Sequence, residues 1–218
     1  MTKSMKQIED IKITNLEIQS LLVCNDSLHI YTCKNMYGGY CDNMDDSVKN
    51  KLNKILQYDE ALAKHCMETA LYTKRFMKFL NYDEDKINIS YNAALLHDIG
   101  KTVISKSILN KTGELTPDEK KIIDAHTINA TNLLNDEDDF IQYVALHHHD
   151  DYKDIDDITQ VIAVCDTYSA LITERSYKPA YASIEAISIM KNDSRNSNLN
   201  PILVAAFEIM LRQFGYIM

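Results

Sequence analysis

The chain has 218 residues, with 23 Lys and Arg against 32 Asp and Glu for a net charge of −9, and its seven histidines would bring that only to −2 if all were protonated. A field of that sign excludes a protein that coats nucleic acid by releasing phosphate counterions. Only 5 Gly and 3 Pro occur, where ordinary usage gives roughly 26, which excludes a turn-rich β sandwich or barrel and leaves one mostly helical domain as the expected fold.

Residues 1–46 read as an N-terminal segment of their own. Ile8, Ile11, Leu16 and Leu22 stand at irregular near-helical spacing, and Ser27 to Cys33 alternates enough for a short strand, so helix and strand both stay open there. Tyr37-Gly38-Gly39-Tyr40 holds two of the five glycines and reads as a turn, and the polar stretch Asn43 to Ser47 marks a boundary. Residues 47–218 then read as helices: Asp46 to about Gln57, Asp59 to Leu80, and Asp83 to Leu96. Thr116-Pro117-Asp118-Glu119 is a helix start, with a capping hydroxyl, Pro at the first helical position and acid in the first turn. That helix is expected to run unbroken to about Leu134. Further helices are expected through His149, from Ile158 to Thr173, from Ser183 to Lys191 and from Pro201 to Phe214. The acidic runs Asp136 to Asp139 and Asp150 to Asp157 between them read as solvated loops.

No membrane span is expected, because the longest run without Asp, Glu, Lys or Arg is the twelve residues Asn196 to Phe207, against the ~20 that cross a bilayer. The five cysteines, Cys24, Cys33, Cys41, Cys66 and Cys165, are odd in number and form no CxxC pair. They read as reduced thiols of a cytoplasmic protein.

Chemistry is written in the histidines. His97-Asp98 closes an apolar helix, His65 and His126 fall on other predicted helices, His147-His148-His149 ends a third, and Asp166 sits inside the apolar run VIAVCDTYSAL. A carboxylate in an apolar face costs several kcal/mol unless it is paired or bound to a cation. Imidazole with carboxylate suits iron, manganese and zinc. Five imidazoles and two carboxylates exceed the needs of one ion, whereas two ions sharing a carboxylate would use them all. Such a pair is a device for phosphoester hydrolysis.

In order and spacing, LLHDIGK (95–101), SILNKTGELTPDEKKIIDAHT (107–127), ALHHHDD (145–151) and AVCDTYSALITERSYKPA (163–180) resemble the HD-GYP branch of the HD-domain phosphohydrolases. The resemblance covers roughly residues 55–212 and implies an all-α HD-domain helical bundle. Its activity would be metal-dependent hydrolysis of a cyclic dinucleotide, cyclic di-GMP first, to the linear dinucleotide. Carried over, it makes His65, His97, Asp98, His126, His148, His149 and Asp166 metal ligands, with Asp98 as bridge, while a one-residue slip to His147 and His148 keeps a second register open. Lys101 is implied beside the reacting phosphate, making Asp98 and Lys101 the catalytic pair, and Arg175 with Lys178 would contact the substrate phosphates. The implied cofactors are two divalent ions, iron or manganese first, with zinc, nickel or magnesium also compatible. A signalling protein or a second copy of the chain is an open partner.

Two departures qualify the resemblance. The family's glycine-tyrosine-proline loop is replaced by Tyr152-Lys153-Asp154-Ile155-Asp156-Asp157, and the places where three-metal members carry Glu and a second Asp hold Ala61 and Ser169. The expectation is therefore two ions, with the dinucleotide left open. Two other readings stand beside it: a nucleotide- or partner-binding module without turnover, and an HD hydrolase of another phosphoester.

Overall fold

The computed structural model describes residues 44–173, 180–193 and 198–217. The N-terminal helix-or-strand question, the turn at Tyr37 to Cys41, and both Arg175 and Lys178 lie outside the described residues. The chain divides after Asp45, and the unit that follows is built from ten α-helices with no strand among the described residues. They are α1 (Asp46–Tyr58), α2 (Glu60–Phe79), α3 (Glu84–Leu96), α4 (Lys106–Leu109), α5 (Pro117–Asp124), α6 (His126–Leu133), α7 (Asp139–His147), α8 (Asp157–Ile172), α9 (Ser183–Asp193) and α10 (Pro201–Gln213), with a 3-10 helix at Ile99–Val103 between α3 and α4. No described helix is long and apolar enough to cross a membrane.

Helix starts follow the capping chemistry of the sequence. Asp59, Asp83 and Asn200 each accept from backbone N–H groups of the turn they open, satisfying donors that have no intrahelical partner. At Thr116 the full reciprocal cap forms, with the hydroxyl accepting from Glu119 N and the Glu119 carboxylate accepting from Thr116 N. Asp156 accepts from both Ile158 N and Thr159 N and so starts α8. Replacing it with Ala should cost about 1 kcal/mol, a fall of roughly 2–4 °C in midpoint for a domain of this size, measured by thermal unfolding.

Two expectations are corrected. The helix from Thr116 does not run unbroken to Leu134 but breaks at Ala125 into α5 and α6. There the imidazole of His126 takes the Ile123 carbonyl through Nδ1 at 2.7 Å, in competition with the backbone ladder, and the 3-10 helix packs against α6. The acidic loop before α7 is not simply solvated: the buried ammonium of Lys51 on α1 sits 2.8 Å from Asp136 and 2.7 Å from Glu137. These pairs tie α1 to the α6–α7 turn.

The long helix α2 packs along both α3 and α8, and α7 along α3 and α6. Behind α2 and α8 lies the aromatic part of the core, where the rings of Tyr72, Phe76, Tyr168 and Phe207 meet edge to face, the arrangement their quadrupoles favour. Each of α2 and α8 thus carries core aromatics on the same rod as a candidate site residue, His65 or Asp166.

Candidate metal centre

Five stretches of chain deliver their polar side chains to one buried place. His65 comes from the first third of α2, His97 and Asp98 from the end of α3, His126 from the first residue of α6, His148 from the end of α7, and Asp166 from the middle of α8; all six are at least nine-tenths buried. His149, just past α7, joins them from the exposed side. Three overlapping groups bring ligand atoms within 4.8 Å of one another: His65, His97 and Asp98; His97, His148 and Asp166; and Asp98, His126, His148 and His149.

Asp98 stands between two sets of donors. Its Oδ2 lies 3.7 Å from His65 Nε2 and 3.4 Å from His97 Nε2, and both imidazoles also reach Asp166 Oδ1, at 2.9 and 3.4 Å. Its Oδ1 instead faces His126 Nε2 at 3.2 Å and His148 Nε2 at 3.9 Å. Lys101 Nζ donates to Oδ2 at 2.5 Å from the middle of the 3-10 helix. His147 turns away: its Nδ1 is 2.7 Å from Asp150 Oδ2 and its ring lies on Tyr143.

The far nitrogens of the rings fix how the near ones point. His97 Nδ1 donates to the Ala94 carbonyl at 2.8 Å, His126 Nδ1 to Ile123, and His148 Nδ1 to Val144 and Ala145 at 3.1 and 3.2 Å. A carbonyl only accepts, so each Nδ1 carries the proton and, in the neutral ring, each Nε2 presents a lone pair to the interior. His126 Nε2 then meets Asp98 Oδ1 acceptor to acceptor. Two atoms of the cluster, His97 Nε2 and Asp98 Oδ1, are buried without a hydrogen-bond partner. Native interiors seldom leave such atoms alone, and a cation beside each would satisfy them. The donor set, imidazole and carboxylate with no thiolate, fits a divalent ion.

Electrostatics point the same way. Burial pushes the Asp98 carboxyl up, but Lys101 and His97 more than offset it and hold the group well below the usual carboxylate range. Asp166 behaves alike, with His65 and His97 outweighing burial. At His97 burial works against charge, yet the two carboxylates lift the imidazole to about 10. His148 moves oppositely, driven well down by burial and by His97 beside it. The centre of the cluster attracts positive charge, while burial disfavours it on the rings of His65, His148 and His149.

Two contacts escaped the sequence reading. Ser169, one turn after Asp166, places its hydroxyl 3.1 Å from His65 Nδ1; its spacing on α8 was the available signal. Gly100 lies against α6 so closely that a Cβ there would come within 1.9 Å of the His126 carbonyl oxygen. No local pattern announces that approach.

Residues 49–202 match the family described as HD domain. Over 129 residues the chain is 33% identical to a cyclic di-GMP phosphodiesterase of Pseudomonas aeruginosa, covering 53% of this chain and 31% of that one. It is 29% identical over 146 residues to a 3′3′-cGAMP-specific phosphodiesterase of Vibrio cholerae, covering 60% and 28%. The chain thus spans about a third of the length of these curated relatives. Among solved structures, the HD domain of the L. monocytogenes phosphodiesterase PgpH, in complex with cyclic di-AMP, superposes with a TM-score of 0.59 at 19% identity, over 74% of this chain and 93% of that one. That likeness is one of fold.

Proposed function

We propose that this chain, which belongs to the HD-domain family, is a metal-dependent phosphodiesterase that opens a cyclic dinucleotide, cyclic di-GMP first, to its linear form. The observation that carries the reading is the placement of Asp98, whose two oxygens face different donor sets. His65, His97 and Asp166 would hold one divalent ion with Oδ2, and His126, His148 and His149 a second with Oδ1. Two rather than three ions are supported by Ala61, which has no donor atom, and by Ser169, whose hydroxyl is engaged with His65. Iron or manganese suits this hard and borderline donor mixture.

When bound, such a pair supplies Lewis acidity toward the phosphate oxygens and acidifies a water for attack. The protein's share is positioning and charge. The backbone carbonyls behind His97, His126 and His148 keep those rings from turning, so the site is assembled before substrate arrives. Lys101 stands with its ammonium at the edge of the cluster on Asp98 Oδ2, where it can neutralise a non-bridging phosphate oxygen. Arg175 and Lys178 complete the phosphate contacts in this reading.

Relatives named for two different cyclic dinucleotides favour a second reading, in which 3′3′-cGAMP is the substrate. Protein purified without chelator, incubated with cyclic di-GMP, 3′3′-cGAMP, cyclic di-AMP and a generic aryl phosphodiester, separates these readings. The expected result is conversion of cyclic di-GMP to pGpG at the highest rate, lost on chelation and restored by Mn2+ or Fe2+. Faster turnover of 3′3′-cGAMP selects the second reading, and binding of a dinucleotide without turnover of any ester overturns both.

A further inference from the structure

His97, His126 and His148 are held from behind by backbone carbonyls three or four residues back in the chain. His65 is not: its Nδ1 meets the hydroxyl of Ser169, 104 residues away on α8, with both side chains buried. The chemical difference is large. A carbonyl accepts only and so permits one tautomer, whereas a hydroxyl both donates and accepts and permits two. On its other side His65 Nε2 stands 2.9 Å from Asp166 Oδ1, a hydrogen-bond distance.

We infer that Ser169 is a positioning residue that lets His65 alternate between two tautomers and thereby open its ion site. In the ion-free protein the ring carries its proton on Nε2 and donates it to Asp166, while the Ser169 O–H donates to Nδ1. For His65 to bind an ion through Nε2, the Nε2 proton is given up to water as another is taken up at Nδ1, and the Ser169 oxygen turns to accept from the new N–H. The ring stays neutral throughout the net exchange and needs no change of rotamer. The inference rests on the two-ion reading above. It adds that the two positions are unequal: the one sharing His65 depends on α2 and α8 keeping their register, whereas in the other the rings of His126 and His148 are held by carbonyls three or four residues back.

The test compares wild type, Ser169→Ala and Ser169→Thr by Zn2+ titration against a chromophoric chelator and by 15N NMR of the imidazoles. Wild type is expected to show His65 protonated on Nε2 without metal and on Nδ1 with Zn2+, while His97, His126 and His148 keep a proton on Nδ1 in both states. Ser169→Ala should weaken one of the two ions by about 10–100-fold, the usual effect of removing a partner behind a ligating imidazole, and leave the other unchanged. Ser169→Thr, which keeps the hydroxyl, should restore it. The inference is overturned if His65 shows one tautomer throughout, or if Ser169→Ala binds both ions as wild type does. Failure of wild type to bind any divalent ion would overturn the two-ion reading along with it. If Ser169→Ala does not fold, the wild-type tautomer change alone decides.

Discussion

If the proposed function holds, Asp98→Ala should abolish binding of both divalent ions and slow hydrolysis of the cyclic dinucleotide by about 10³-fold or more, the several kcal/mol of transition-state charge stabilisation that metal catalysis supplies. Asp98 is the residue whose oxygens reach toward both donor sets, at 3.4 Å from His97 and 3.2 Å from His126. Replacement of His65, Asp166 or His126 takes a ligand from one side only. Asp98→Asn sharpens the experiment, because it keeps the shape and removes the charge, and an amide cannot bridge two cations as a carboxylate does. Metal content of the purified variants, turnover, and far-ultraviolet circular dichroism to verify helicity give the result. A variant that keeps both ions and full activity would move the site elsewhere.

Gly100→Ala should produce the largest loss of fold stability of any Gly→Ala change among the described residues. The added Cβ would meet His126 O at 1.9 Å and Ala130 N at 2.8 Å, and both are backbone atoms of α6 that no rotamer change can move aside. Overpacking of this kind costs typically 1–3 kcal/mol, occasionally more; at about 3 kcal/mol the midpoint falls by roughly 6–12 °C for a domain of this size. Relief comes only by pushing α6 outward, and His126 is its first residue. The variant should therefore lose affinity for one ion as well as stability. An unchanged melting midpoint would show that the 3-10 helix can slide without cost.

Much of this was legible before any coordinates, and the reason differs from residue to residue. Caps are local, so Asp59, Asp83 and Thr116 announce their helices from the residue type and the three that follow. The helical domain was equally legible, since scarce Gly and Pro leave few alternatives. The break at Ala125 was not, because α5 and α6 together keep a plausible helical pattern; what ends α5 is the imidazole of His126 reaching back to Ile123 and the backbone of Gly100 pressing on α6, one a side-chain choice and the other a tertiary contact. Lys51 hid for the same reason, as its partners Asp136 and Glu137 lie some 85 residues on. Among three consecutive histidines the sequence left two registers open. In the fold His148 caps α7 with its ring held inward, while His147, one residue earlier on the helix, turns out to Asp150.

The aromatic stack behind α2 and α8 carries a consequence for how the protein tolerates change. Tyr72 lies two turns along α2 from His65, and Tyr168 two residues beyond Asp166 on α8. A repacked ring that alters the spacing of these rods by a few tenths of an ångström would leave the hydrophobic interior intact, yet it would spread the side chains of the candidate metal centre. Drift in this apolar layer is therefore filtered through coordination chemistry, and its silent-looking substitutions should surface as altered metal preference before they surface as misfolding.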